Sequence, residues 1–329
     1  LITTVAANVP RLEYPMIDGV VSGCPSLLLE PQRTNLIAYS EDFNTWSKEA
    51  TVTLTSNYGI SPNGTQNSTR VQMDIDDSIY ISATSGNNFS IYIKGVQDET
   101  IRIVNGGSLT HTLTGKWDRI SIYDTGNSSS LISINTYSGA TVRDIEIWGA
   151  QLEQGSYATS YIPTSGSAVT RVADVCNNGG NDQVINSTEG VFYVEIEGFE
   201  NDNVNRYISL CDSSSSNAIR IFYYSDGGTV FFRKNVNTVG VITSSTTVIN
   251  QSELAKIAIR YNSTSFDIFS NGVKILTNSN SDTFSNNTLN TINFTDSNGF
   301  SSPFLGNVKD LKVYNTTLSD SELTALTTI

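Results

Sequence analysis

In Phe89-Ser90-Ile91-Tyr92-Ile93-Lys94 every second residue is apolar, and this two-residue period returns through most of the chain. Thr100-Ile101-Arg102-Ile103, Asp118-Arg119-Ile120-Ser121-Ile122 and Asp144-Ile145-Glu146-Ile147 repeat it between about Asn44 and Ile162. Successive side chains on a strand point to opposite faces, so the alternation specifies one buried and one wetted face. Gly, Asn and Ser breaks separate the runs, which predicts half-buried antiparallel strands. Many such strands at short intervals predict a sandwich or barrel.

The period lapses over residues 163–188. Pro163, Ser165-Gly166-Ser167 and Asn177-Asn178-Gly179-Gly180-Asn181 supply turn and linker chemistry, which predicts a domain boundary. The alternation resumes at Gly190, with Phe192, Val194 and Ile196 on one face, followed by Ile219, Ile221 and Tyr223, then Ile257, Ile259 and Tyr261. Phe266 and Ile268 precede Ser270-Asn271-Gly272, and Val273-Lys274-Ile275 follows it. Asn-Gly between alternating runs predicts a hairpin, because a type I′ turn needs positive φ twice. Near the end, Ser319 and Glu322 form a capping box and Leu318 can staple to Leu323, which predicts one short helix.

Residues 1–36 keep no steady period and are broken by Pro10, Pro15, Pro25 and Pro31. They read as an extended arm or connector, with Leu27-Leu28-Leu29 a candidate edge strand. The fold class is therefore all-β: two tandem antiparallel jelly-roll sandwiches with an extended N-terminal arm and one short C-terminal helix. The expected boundaries are an arm over 1–36, a first jelly roll over 37–164, a linker over 165–188 and a second sandwich over 189–329. A length of 329 residues allows each sandwich its own core.

With 19 basic residues against 32 acidic ones, the formal net charge is −13. A surface of that sign repels phosphate, so nucleic acid and anionic membranes are poor partners, and neither is expected. No apolar stretch has the length needed to cross a bilayer as a helix. Cys24, Cys176 and Cys211 are odd in number and widely spaced, so no disulfide framework is implied, and no Cys-x-x-Cys pair suggests a metal. The chain opens on Leu1, and it reads as a fragment or a processed product.

Glu30-Pro31-Gln32-Arg33-Thr34-Asn35-Leu36 leads into Tyr39-Ser40-Glu41-Asp42-Phe43. Gly115-Lys116-Trp117-Asp118-Arg119-Ile120 follows, then Trp148-Gly149-Ala150-Gln151-Leu152-Glu153-Gln154-Gly155 and Ala158-Thr159-Ser160-Tyr161-Ile162-Pro163-Thr164. These stretches, over about residues 28–175, resemble a module of bacteriophage tail and virion proteins that is similar to the family 4/9 carbohydrate-binding modules. The resemblance implies a jelly roll whose concave face serves glycans or packing in a trimeric appendage. The second domain, about 188–329, resembles a laminin-G or concanavalin-like module. Its carriers are the opening strand Gly190–Phe199, the Ser270-Asn271-Gly272-Val273 hairpin, and Gly306-Asn307-Val308-Lys309-Asp310-Leu311-Lys312-Val313-Tyr314 before Leu318-Ser319-Asp320-Ser321-Glu322-Leu323.

Glu195-Ile196-Glu197-Gly198-Phe199-Glu200 resembles the E-x-D-x-x-E strand of concanavalin-like retaining glycanases, with Glu at the middle Asp. Such a strand implies a nucleophile and an acid/base about 5–5.5 Å apart. Outward glutamates alternating with core Phe192, Val194 and Ile196 need no catalysis to explain them, and the chain is read as a non-enzyme. His111 stands alone between Thr110 and Thr112 and reads as a hydrogen-bonded strand residue. The carbohydrate-module relatives imply a structural Ca2+ site, for which Glu41 and Asp144 are the candidates beside a reading as ordinary loop carboxylates. Sugars are held by aromatic faces plus amide, carboxylate or guanidinium groups. Tyr92 and Arg102, opposite the apolar faces of their strands, are candidates in the first domain, and Tyr224, Arg233 and Asn235 in the second. Trp117 and Trp148 read as core packing.

The expected function is a phage virion protein of a fibre or appendage, displaying its sandwiches for adsorption to host-surface polysaccharide. Its expected setting is the extracellular particle, with other virion proteins as partners and a homotrimer as its assembly. A purely structural capsid or tail decoration protein is the alternative, and a glycan depolymerase using Glu195 and Glu200 a second one.

Overall fold

The computed structural model describes residues 9–14, 16–17, 20–21, 23–84, 86–126, 131–199, 201–246, 249–279, 282–299 and 301–329. Among the described residues the chain is all-β apart from one short 3-10 turn and the helix Asp320–Thr327, and the strand pairings are antiparallel. It divides into two compact units. The first runs from Gln32 to Val172, and the second takes the described residues up to Pro31 together with Ala173–Ile329. The second unit is thus discontinuous in sequence, with the first inserted between Pro31 and Ala173.

The first unit is a sandwich of two five-stranded sheets. One orders Asp118–Tyr123, Asn87–Gly95, Asp144–Gln154, Thr69–Gln72 and Thr53–Thr55. The other orders Gly107–Thr112, Thr100–Asn105, Leu131–Asn135, Ser78–Ser82 and Ser47–Lys48. Phe89, Ile91, Ile93, Ile145 and Ile147 from the first sheet meet Ile79, Ile101, Ile103, Ile132 and Ile134 from the second in one buried cluster. This is the apolar half of each period-2 run, as burial of one face requires.

In the second unit a seven-stranded sheet runs Leu12–Glu13, Ser26–Leu29, Gly306–Tyr314, Gly190–Gly198, Ala255–Tyr261, Phe266–Ser270 and Val273–Asn278. A five-stranded sheet runs Val239–Thr246, Val230–Val236, Ala218–Tyr223, Arg206–Cys211 and Thr291–Asn293. Phe192, Val194 and Ile196 of the first pack on Ile208, Leu210, Ile219, Ile221 and Phe232 of the second. On its other face the seven-stranded sheet buries Val191, Tyr193, Ala258 and Phe269 under Leu323 of the helix. Ser319 accepts from the Glu322 N–H while the Glu322 carboxylate accepts from the Ser319 N–H, so the capping box forms as its residues predict. Asn271 and Gly272 both take positive φ, 47° and 80°, which makes the hairpin turn that Asn-Gly specifies.

Of the arm expected over 1–36, the described part is not a free connector. Ser26–Leu29 is hydrogen-bonded to Gly306–Tyr314 as a strand of the second unit's own sheet. Arg11 closes on Glu30 and Asp174 at 2.7 and 2.6 Å, pinning both ends of this segment to that unit. Within the break expected over 165–188, Val169–Arg171 pairs with Arg33–Asn35, and the unit boundary falls at Val172–Ala173. Leu1 lies outside the described residues.

Candidate functional site

The motif residues of the first unit are occupied with each other. Between Ser90 and Tyr92 the pairing with Asp144–Gln154 shifts by one residue, and Gly149 at the bulge has φ of +65°. A Cβ there would lie 3.2 Å from the Tyr92 ring and 3.3 Å from that of Tyr161, so glycine lets the rings close over the backbone. Trp148, next after core Ile147, falls on the outer face, where its ring lies 5.4 Å from Tyr92 and 4.5 Å from Tyr161, and the bulge returns Ala150 and Leu152 to the core. Residues after Gly155 fold back over this face. The Glu153 carboxylate accepts from the Thr159 N–H and hydroxyl at 2.9 and 2.6 Å, and Gln151 Oε1 accepts from the Ile162 N–H at 2.6 Å. Asn35, fully buried, donates to the Ala150 and Ile162 carbonyls and accepts from the Ile37 and Leu152 N–H groups.

Tyr92 is therefore half-buried beneath the unit's own chain, with the Arg119 guanidinium 5.4 Å from its ring centroid. Burial raises its hydroxyl pKa above the usual value, with Arg119 opposing. The expectation that Tyr92 and Arg102 line one exposed sheet is corrected: Arg102 lies on Thr100–Asn105, in the other sheet. Because Ile91 and Ile93 face Ile101 and Ile103 across the core, the outward residues of the two strands point away from each other. Trp148 is buried as expected, whereas Trp117 is half-exposed, its Nε1–H donating to the Ile60 carbonyl at 3.1 Å. Trp117 precedes the strand Asp118–Tyr123, so no sheet register turns it inward.

Glu41 and Asp144 enter separate networks. Glu41 accepts from Tyr161 Oη and Asn67 Nδ2, both at 2.9 Å, and sits in a small polar hollow with Tyr39, Asp42 and Asn57. Asp144 is taken by a two-pronged pairing with the Arg70 guanidinium. Among the described residues no group of three His, Cys, Asp or Glu side chains is placed to hold a metal ion. His111 Nε2 lies 3.2 Å from Asp118 Oδ2 across the connection between Gly107–Thr112 and Asp118–Tyr123, which joins the two sheets.

On the second unit, Glu195 and Glu197 project from the outer face of the seven-stranded sheet into cross-strand ion pairs. Lys256 Nζ is 3.9 Å from Glu195, and Lys309 Nζ is 3.4 Å from Glu197. Glu200 lies outside the described residues.

The opposite outer face, on the five-stranded sheet, is different in kind. Ile208, Leu210, Ile219, Ile221 and Phe232 point inward, so their neighbours form regular rows outward. One row is aromatic. Tyr207 stacks on Phe222 at 4.5 Å and 19°, and Phe222 on Phe231 at 5.2 Å and 12°. The next row is Ser209, Arg220 and Arg233, in direct cross-strand register, and beyond it lies Asn235. Asp296, Ser297, Ser301 and Ser302 rim this face and close a cleft of about 350 Å³ lined also by Tyr207, Phe222, Arg220, Arg233 and Asn235. Arg220 is 6% exposed and donates to Asn235 Oδ1 at 3.1 Å, the Ser215 carbonyl at 3.2 Å and the Ser297 hydroxyl. Burial lowers its pKa, and the positive charge of Arg233 adds to the fall.

Residues 192–324 match the family model of the concanavalin A-like lectin/glucanases superfamily. The lectin-like unit thus carries both this cleft and the glutamate-bearing face. Among solved structures, the CBM40 module of the Ruminococcus gnavus IT-sialidase is 16% identical over 47% of this chain and 96% of its own, with a TM-score of 0.39. A heptameric pentraxin from Limulus polyphemus is 15% identical over 46% of this chain and 74% of its own, at 0.38. Domain 4 of a Geobacillus stearothermophilus arabinanase, solved with arabinotriose, is 16% identical over 53% and 82%, at 0.34. At these scores the neighbours' ligands do not transfer to this chain. No curated protein sequence matches it.

Of the residues expected to bind sugar in the lectin-like unit, Arg233 and Asn235 line the cleft. Tyr224 is exposed and touches Phe231 at 5.3 Å, at the end of the aromatic row and outside the lining. Arg220, Tyr207 and Phe222 were missed. The signal for two of them was present: Arg220 and Phe222 alternate with the apolar Ile219, Ile221 and Tyr223, which places them on the outward face.

Proposed function

We propose that the chain is a non-catalytic glycan-binding protein of a bacteriophage virion appendage, whose lectin-like unit engages host-surface polysaccharide. The observation that supports this reading is the cleft of the five-stranded sheet, where an aromatic row runs beside two guanidinium groups and an amide. Aromatic faces present an apolar platform to sugar C–H groups, while arginine and asparagine orient hydroxyls, and few precisely placed polar groups on a concave apolar wall are the usual chemistry of a ligand site. The tail and virion motifs over about residues 28–175 support the appendage setting, with a homotrimer and other virion proteins as partners. Repeated copies would convert weak single-site binding into avidity.

For the first unit, a scaffolding role is favoured by one observation. Its tail-like motif residues hold the segment around Thr159–Ile162 over the face that Tyr92 and Trp148 occupy, so their polar groups are used internally.

The test is a glycan array probed with the intact chain in multivalent form, beside Tyr207→Ala. Binding that Tyr207→Ala weakens supports the reading. A blank array, from protein that is folded by circular dichroism, overturns adsorption and leaves a structural appendage protein.

A further inference from the structure

We propose that the cleft of the lectin-like unit selects acidic saccharides, seating a carboxylate or sulfate of the sugar between Arg220 and Arg233. This rests on the glycan-binding reading above and adds the chemical class of the ligand.

Three arginines are nearly buried among the described residues: Arg11, Arg206 and Arg220, at 8%, 7% and 6% exposure. Arg11 has Glu30 and Asp174, and Arg206 has Asp202. Arg220 alone has only neutral acceptors, namely Asn235, Ser215 and Ser297. A buried charge is normally paired, because burial without a counter-charge costs far more than burial of a neutral group. In a chain with 32 acidic residues against 19 basic ones, the missing carboxylate is not a matter of supply.

Arg233 sharpens the imbalance. It is the direct cross-strand partner of Arg220, and like charges placed opposite each other destabilise a sheet. Among the described residues neither guanidinium lies within ion-pair distance of a carboxylate. Asp296, the one acidic residue in the lining, accepts from the Ser301 N–H and hydroxyl and reaches Arg220 only as a weaker, longer-range charge that opposes the fall in its pKa. Two adjacent guanidinium forks match the planar or tetrahedral oxygens of carboxylate and sulfate, which they bind with two parallel bonds. The Tyr207–Phe222 stack flanks the same cleft, so an anion held by the arginines brings its sugar ring to the aromatic row. Inorganic phosphate would use the arginines without needing that row. Long-range repulsion from a net charge of −13 also disfavours indiscriminate polyanion binding.

The experiment compares the intact chain with Arg233→Gln on an array of neutral, carboxylated and sulfated oligosaccharides at about 0.15 M salt. Arg233 is exposed, so this variant keeps its fold, and its thermal unfolding is measured beside the parent. The expected result is that bound members carry carboxylate or sulfate, and that Arg233→Gln weakens them by about tenfold or more. Which charged set binds names the anion. Neutral members bound as tightly as charged ones, or charged binding that survives Arg233→Gln, overturns the acidic-sugar inference while glycan binding stands. An array with no bound member removes both.

Discussion

The rings of Phe222 and Phe231 lie 5.2 Å apart and 12° from parallel, on neighbouring strands where the two residues are direct partners. With Tyr207 they make a flat aromatic floor that no core requirement explains, because all three project away from the interior. Tyr207 lines the cleft and Tyr224 stands beyond it. Tyr207→Ala is expected to weaken glycan binding by about tenfold, ~1.4 kcal/mol, whereas Tyr224→Ala leaves it unchanged. Titration calorimetry on both variants checks this, and equal losses would place the ligand elsewhere.

Asn35 satisfies four backbone groups that belong to three separate stretches of chain. Asn35→Ala strips all four at once in a site with no access to water. It is expected to destabilise the first unit by about 3 kcal/mol or more, since each buried unsatisfied group costs about 1–3 kcal/mol. Urea unfolding followed by tryptophan fluorescence reports it, because Trp46, Trp117 and Trp148 all lie in this unit. A loss below about 1 kcal/mol would mean that the segment around Ile162 is held by other contacts.

Asp267 is buried on the seven-stranded sheet and takes hydrogen bonds from Arg260, Ser265 and Lys274. Burial pushes its carboxyl pKa up, but the bonds from Arg260, Ser265 and Lys274 outweigh it and hold the value below the ordinary carboxylate one. A depressed pKa contributes stability that is complete above the unfolded value of about 3.9 and is lost as pH falls through the folded value. The lectin-like unit should therefore lose stability as the pH drops below about 4. Asp267→Ala, which leaves Arg260 half-paired, is expected to cost about 3 kcal/mol at neutral pH and to flatten the acid limb. Thermal melts of both proteins from neutral to acid pH decide; an acid limb as steep in the variant as in the parent would assign it to other carboxylates.

Cys211 is buried beneath the cleft, and burial pushes its thiol pKa up to about 11. Since the thiolate is the reactive form, it should resist alkylation at pH 8. Cys24 is exposed and should react first. Mass spectrometry of protein treated with iodoacetamide, native and then unfolded, distinguishes them. Rapid native labelling at Cys211 would show that the rim at Ser297, whose carbonyl its thiol contacts, opens readily.

Where the two-residue period was strong, strand, face and core followed from it: Phe89, Ile91 and Ile93 are buried, and so are Phe192, Val194 and Ile196. The capping box at Ser319 and the Asn271-Gly272 turn were equally legible, because each is a local device whose partners lie within four residues. Facing direction within a strand is local too, and that is why Arg233 and Asn235 could be placed outward. Which sheet a strand joins is not local. Nothing between Lys94 and Thr100 states that the chain crosses to the other sheet there, so the alternation alone offers Tyr92 and Arg102 to one exposed sheet. Likewise no spacing announces that Ser209, Arg220 and Arg233 fall into one row, since that depends on the register of three strands. Leu27-Leu28-Leu29 could be read as an edge strand, but its partner Gly306–Val308 lies at the far end of the sequence and only the folded chain supplies it.

The interruption of the lectin-like unit between Pro31 and Ala173 bears on what a protease can separate. A single nick near Val172 cuts the polypeptide yet leaves Ser26–Leu29 hydrogen-bonded in place, so the two fragments should comigrate until denatured. Release requires a second nick near Pro31, and even then the short N-terminal peptide stays behind as a non-covalent strand, held by its pairing to Gly306–Tyr314 and by Arg11 on Asp174. A gene fragment beginning at residue 189 would instead leave the Gly306–Tyr314 edge bare, open to pairing with another copy and to aggregation.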